Sequence, residues 1–338
     1  MTFQRAFALR QIRSLARVAV AALVGACVLA APSAHAQTLT KVIVGGQITD
    51  DTTPILYALK AGLFKRAGLD VDLQKTTNGG TAIPAVLGGA FNIADANILN
   101  LAVANNKGIP LELVAPGIVY NGTTEFFAAV VKKGSALKSG RDLNGKIIGV
   151  STIGDLNAIA LSDWMDQNGG DSKSIKEVEI AWSDVAPALE AGRIDLGTLV
   201  QPILSQALAS GKVQIFGKTG DAIATRFLIT GWMAKRDWAA ANADAVRRFA
   251  RVVRDAQIYC NAHKAETAPL LSAYTGADEQ LLLHSGRATY AANFADPRDM
   301  QPVVAAAYKY GAVPKMFAAE NLVSPAVRGL TVSSAPGR

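Results

Sequence analysis

The chain has 338 residues, half of them hydrophobic and 18% charged, with a formal charge of +7 and two cysteines. That balance is too apolar for a disordered chain, and no basic run interleaves with aromatics as a nucleic-acid surface would require. The length allows about two domains, and beyond the first 36 residues no apolar run approaches the ~20 residues of a membrane span.

The N-terminus reads as an export signal. Arg5, Arg10, Arg13 and Arg17 form a positive segment without an acid, Val18 to Ala31 is an apolar stretch too short to span a bilayer, and Ala34-His35-Ala36 is a small-x-small cleavage signal. The reading is a signal peptide over 1–36, cut after Ala36. Val24-Gly25-Ala26-Cys27 resembles a lipidation box, but six apolar residues separate Arg17 from Val24. Cys27 then sits inside the apolar core of the signal, which favours a soluble product over a lipoprotein. Removal takes four arginines and no acid from the +7, leaving about +3, too mild to argue for nucleic acid. Only Cys260 remains, in an apolar-periodic helix, as a buried structural thiol without a disulfide partner.

In chain order, Lys41 to Gly46 is a buried strand and Thr52 or Thr53 caps a helix with Pro54 in its first turn. Gly62 ends that helix, Leu69 to Leu73 alternates as a half-buried strand, and Gly79-Gly80-Thr81 leads into another helix. Asn97 caps a helix to about Asn106, and Leu111 to Ala115 is a strand. This β-α-β-α-β-α-β order implies a mostly parallel sheet with helices on both faces. Phe126 to Lys132 is a strand leading away, and Ile147 to Val150 opens a second α/β series. That series has helices at Leu156 to Gln167 and Ile203 to Ala209, and strands at Val178 to Ala181 and Val213 to Phe216. Phe227 to Met233 is a return strand, and a helix at about 243–263 begins a helical C-terminal region.

The two series echo each other. Pro84-Ala85-Val86-Leu87-Gly88-Gly89-Ala90-Phe91-Asn92-Ile93-Ala94 aligns without a gap on Pro187-Ala188-Leu189-Glu190-Ala191-Gly192-Arg193-Ile194-Asp195-Leu196-Gly197. Each copy reads as a helix with its Pro in the first turn, capped by Thr81 or Asp184, ended by Gly and followed by a buried strand. Two similar units imply two similar lobes and a ligand cleft between them. The simplest division is a discontinuous first lobe, about 38–130 with 235–330, around a continuous second lobe at 131–234. Strands near Val130 and Thr230 then form a two-strand hinge.

Gly62-Leu63-Phe64-Lys65-Arg66-Ala67-Gly68-Leu69-Asp70-Val71, Asp142-Leu143-Asn144-Gly145-Lys146-Ile147-Ile148-Gly149-Val150 and Ala188-Leu189-Glu190-Ala191-Gly192-Arg193-Ile194-Asp195 together resemble phrases of one family. It is the periplasmic substrate-binding proteins of ABC importers, in the branch for nitrate, sulfonates, taurine and thiamine pyrimidine precursors. Gln201-Pro202 sits where members often carry an acid-Pro pair. The resemblance covers nearly the whole chain after the signal. It implies an α/β type II periplasmic-binding fold and hinge closure on a small-molecule ligand. It also implies a periplasmic location and delivery to an inner-membrane ABC permease with its ATPase. The chain is expected to act as a monomer, without cofactor, metal or nucleic acid.

In such a fold ligands meet strand ends and the helix N-termini that follow. Four turns qualify: Gly46 to Thr53 (with Gln47, Asp50 and Asp51), Asn78 to Thr81, Asp95 to Asn97, and Ser151 to Asn157 (with Thr152 and Asp155). Free N–H groups and partial positive charge at helix starts favour an anionic head such as a carboxylate or sulfonate. Asp50, Asp51 and Asp155 read either as caps or solvent-facing groups, or one faces a cationic amine and makes the ligand zwitterionic or an aminated heterocycle. Tyr120 and Trp182 lie at strand ends, where an aromatic ring either packs in the core or stacks on the ligand. Only His263 and His284 follow the signal, both in the helical region, and no G-x-S-x-G, Walker loop or H-E-x-x-H occurs. The reading is therefore a binding protein and not an enzyme. A sensor subunit for a membrane receptor, or a small-molecule enzyme on the same fold, are the alternatives.

Overall fold

The computed structural model describes residues 39–123 and 126–330. The signal peptide, its cleavage after Ala36, Cys27 and the final residues lie outside the described residues.

The first half builds β1 (Thr40–Gln47), α1 (Thr53–Lys60), α2 (Leu63–Arg66), β2 (Leu69–Thr76), α3 (Gly79–Leu87), β3 (Ile93–Asn97), α4 (Ile98–Asn106), β4 (Leu111–Pro116) and β5 (Val119–Tyr120). The second series is β6 (Phe127–Lys132), β7 (Ile147–Val150), α5 (Leu156–Gln167), β8 (Lys176–Glu179), α6 (Trp182–Glu190), β9 (Leu196–Val200), α7 (Ile203–Ala209) and β10 (Val213–Gly217). The return is β11 (Phe227–Leu228) and β12 (Thr230–Lys235). The helical region is α8 (Arg236–Ala241), α9 (Ala243–Ala262), α10 (Lys264–Thr275), α11 (Glu279–His284) and α12 (Pro297–Lys309).

Two five-stranded sheets carry the lobes, in the orders β2-β1-β3-β12-β4 and β8-β7-β9-β6-β10. The orders match position by position. In each, three strands are parallel and the fourth runs antiparallel to its neighbours. The antiparallel strand is the one that enters from the other lobe: β12 in the first sheet and β6 in the second. The fold is thus the two-lobed α/β periplasmic-binding type with a helical C-terminal region. Because β6 lies wholly in the second sheet and β12 wholly in the first, the crossings fall before Phe127 and before Thr230, not at 131 and 235. Two further contacts join the lobes through the C-terminal helix: Lys309 Nζ meets Asp163 Oδ1 at 2.6 Å and the Tyr310 hydroxyl donates to Asp166 Oδ2 at 2.8 Å.

The sequence echo is built the same way in both lobes. Ala90 N bonds Ala85 O and Arg193 N bonds Ala188 O, each at 2.9 Å, around Gly89 at φ +80° and Gly192 at φ +69°. That left-handed step costs Gly little and is what lets each chain turn from helix to strand. Beyond it, Ile43 N donates to Asn92 Oδ1 at 2.8 Å and Ile147 N to Asp195 Oδ2 at 2.9 Å, clamping each following strand to the first strand of its sheet. The helices start a turn earlier than expected, at Gly79 and Trp182, so Pro84 and Pro187 stand inside them rather than in the first turn. Asn78 caps the first, not Thr81, because the Asn78 carboxamide oxygen already accepts from Thr81 N at 3.1 Å.

Candidate functional site

A cavity of about 40 Å³ lies between the two sheets at the ends of β1, β3, β7 and β9. Gln47, Asp51, Asn78, Asn97, Ser151, Thr152, Asp155, Asn157 and Trp182 all line it. Three helix N-termini converge there with their caps in place: Asn78 on α3, Asn97 on α4, whose Oδ1 accepts from Asn100 N at 2.8 Å, and Asp155 on α5, whose Oδ1 accepts from Ala158 N at 2.9 Å. Trp182, the first residue of α6, brings a fourth; its buried indole N–H has no hydrogen-bond partner among the described residues. An orphaned donor beside a cavity is where a ligand acceptor gains most.

Among the described residues, the charged groups of the lining are carboxylates only. Asp51 is buried and accepts from Thr230 Oγ1 at 2.6 Å and Thr49 Oγ1 at 2.7 Å. Burial pushes its pKa up and the carboxylate of Asp50 adds to the push, while the two hydroxyls pull it down; the balance stands at about 6. Asp155 also titrates above its ordinary range, chiefly through burial and despite bonds from Ser151 Oγ (2.7 Å) and Ala158 N. Behind them Asp95 is fully buried, with Gln47 Nε2 on Oδ2 at 2.8 Å and Oδ1 without a partner. Burial first and Asp51 second raise it well above the ordinary value.

Four expected site residues stand elsewhere. Asp50 is neither a cap nor solvent-facing: Arg287 grips it through Nε and Nη2, each at 2.8 Å, and Ala288 N and the Tyr290 hydroxyl add two more bonds. Burial pushes Asp50 up, but Arg287 and these donors outweigh it and hold the carboxyl below its usual range. It anchors the C-terminal region under the first lobe. Tyr120 is core, stacked on Phe227 and donating to Asp221 Oδ1 at 2.7 Å. Gln201 lies on the far side of β9, where its Oε1 accepts from Ser205 Oγ at 2.8 Å. Thr81 is exposed at the rim, bonded to Asn78 O through Oγ1.

The lining also holds residues that the sequence reading missed: Gly79, Asn100, Phe126, Leu156, Val200, Ile229 and Thr230. Asn100 was accessible, since it lies one turn after Asn97 on the same helix face. Gly79 leaves room for it, because a Cβ there would meet Asn100 Nδ2 at 2.5 Å. Phe126, Val200, Ile229 and Thr230 sit at the lobe crossings, whose placement only the sheet order reveals.

The model of the family described as "NMT1/THI5 like" matches residues 49–267. Among curated proteins, the chain is 27% identical over 202 residues to the taurine-binding periplasmic protein of Escherichia coli, covering 57% of this chain and 58% of that one. It is 21% identical over 216 residues to the 4-amino-5-hydroxymethyl-2-methylpyrimidine phosphate synthase of Schizosaccharomyces pombe, covering 61% and 60%. The chain thus spans under two thirds of the length of these relatives. Among solved structures, the periplasmic aliphatic sulphonate binding protein of Escherichia coli superposes with a TM-score of 0.69 at 17% identity, over 85% of this chain and 98% of that one.

Proposed function

We propose that this chain, which belongs to the NMT1/THI5-like family, is a periplasmic solute-binding protein that hands a small organic ligand to an ABC permease. The observation that supports it most is the meeting of four helix N-termini, two from each lobe, on one cavity whose charged lining groups, among the described residues, are Asp51 and Asp155. Helix N-termini, the Trp182 N–H and the Asn, Ser and Thr side chains suit an anionic head. The two carboxylates suit an amine at the other end. A zwitterion satisfies both walls, whereas a bare anion such as nitrate leaves two acids uncompensated. Taurine, named for the Escherichia coli relative, has that character; so does an aminated heterocycle with an acidic substituent.

The cavity of about 40 Å³ accepts roughly three waters at ~10–15 Å³ each. An organic solute needs the lobes parted, so the strands at the two crossings act as a hinge that opens for entry and closes on the ligand. A catalytic role is the second reading, raised by the synthase relative, and turnover of a pyrimidine by the purified protein would establish it. The test of the binding role is a thermal-shift screen of protein stripped of carried-over ligand by unfolding and refolding. The panel holds taurine, alkanesulfonates, nitrate, aromatic carboxylates, pyrimidines and amino acids. A ligand at a thousand times its Kd adds about 4 kcal/mol of stability, several degrees in Tm. A zwitterionic hit is expected; shifts from nitrate alone would overturn the ligand class.

A further inference from the structure

A second cavity, of about 360 Å³, lies behind the first, between α7 and β10 of one lobe and α11 of the other. We propose that it binds a small amphipathic carboxylate, a straight hydrocarbon chain with one anionic head. Its walls are apolar: Phe127, Leu204, Leu208 and Leu281, with Ile215 at 49% exposure where a β10 side chain meets solvent. An isoleucine that exposed beside a groove is surface that an alkyl chain would cover. Among the polar groups, Gln201 and Ser205 bond each other and His284 bonds Gln280 O through Nδ1. Lys218 lines the groove and makes no ion pair among the described residues. The Ser285 hydroxyl is enclosed at the lining without a hydrogen-bond partner among the described residues. One cation and one unused donor on walls that are otherwise mainly apolar, in a volume within the ~300–1,000 Å³ of small-molecule sites, describe a fatty carboxylate better than a polar metabolite.

This groove is separate from the interlobe cavity, yet the two share a wall. Phe126 lines the first and Phe127 the second; Val200 lines the first and Gln201 the second. Phe127 pairs with Val200, and Gln201 N donates to Phe126 O at 2.8 Å, so the linings of the two spaces meet at this end of the pairing between β6 and β9.

The test is calorimetric titration of the purified protein with octanoate and, as the uncharged control, 1-octanol. One saturable site for octanoate is expected, with 1-octanol binding more weakly. Ala209→Trp, at an exposed position on the groove wall, should abolish it. Lys218→Ala should weaken it about fivefold, the scale of one exposed charge contact. Matching thermal unfolding verifies that each variant folds, and if Ala209→Trp does not, Lys218→Ala decides. No saturable binding up to roughly 10 mM, a free energy near 3 kcal/mol, would overturn the proposal. So would octanoate binding that neither variant changes, which would place the fatty acid elsewhere.

Discussion

Thr230, the first residue of the returning strand β12, donates its hydroxyl to Asp51 Oδ1 at 2.6 Å across 179 residues of sequence. Thr230 Oγ1 in turn accepts from Ile118 N at 3.1 Å, so one threonine ties the crossing between lobes to the acid that lines the cleft. Thr230→Val removes both bonds and leaves a buried carboxylate short of a donor. A loss of about 1–3 kcal/mol at neutral pH is expected in urea unfolding, and Thr230→Ser should restore most of it.

Asp51 makes stability fall as pH rises through the weakly acid range. In the folded protein its carboxyl keeps a proton up to about 6, while in the unfolded chain it releases it near 3.8. Between those values the folded state binds more protons, so unfolding becomes easier as pH increases, by on the order of 3 kcal/mol in all. Asp95 and Asp155 are raised as well and act in the same direction. Asp50, held low, acts oppositely, and its contribution is lost only as pH falls below its ordinary range. Asp51→Asn should therefore flatten the pH dependence between pH 4 and 6.5 and raise stability at pH 7.5, as measured by denaturant midpoints.

The Asp50–Arg287 pair is fully enclosed, with 0% and 4% of the two side chains exposed. Asp50→Ala or Arg287→Ala strands a buried charge and should cost about 3–5 kcal/mol. The double variant should lose less than the sum of the singles, because neither charge is then left alone. Equilibrium unfolding of all four proteins reads the difference.

Trp182 offers a cleaner probe of the cleft than its capping residues. Asn97→Ala removes a cap and costs about 1 kcal/mol of stability whatever the ligand does. Trp182→Phe removes an N–H that has no partner among the described residues, so stability should change by less than about 0.5 kcal/mol. Ligand affinity should drop about five- to tenfold, the worth of one hydrogen bond.

Closure is a separate expectation. Small-angle scattering of protein freed of ligand should give a larger radius of gyration than the same protein saturated with the hit of the thermal screen. Identical curves would remove the hinge motion.

Much of this was legible because it rests on local chemistry. Asn97 and Asp155 are caps beside an apolar run, and the Gly89 and Gly192 turns recur in the same frame, so helix starts and strand ends could be read directly. The cleft followed, since helix N-termini gather at strand ends in any sheet of this type. What stayed hidden depends on distant pairing. Nothing near Asp50 announces Arg287, 237 residues away. Gln201 and Tyr120 sit at strand ends as expected, but Tyr120 is held in the core by Asp221, 101 residues further on, a partner that nothing beside it announces. The start of α3 shifted by a turn because Asn78 competes with Thr81 as a cap and wins.

The most direct measurement is the affinity of taurine against ethanesulfonate, the same molecule without its amine, for the wild-type protein and for Asp51→Asn and Asp155→Asn, at pH 5 and 7.5. A cleft that reads a zwitterion should bind taurine at least tenfold more tightly, about 1.4 kcal/mol. That preference should grow from pH 5 to 7.5 as Asp51 ionises, and at least one of the two substitutions should erase it. Equal affinity for the two compounds, unmoved by pH and by both substitutions, would contradict the assignment of these carboxylates to the ligand's amine.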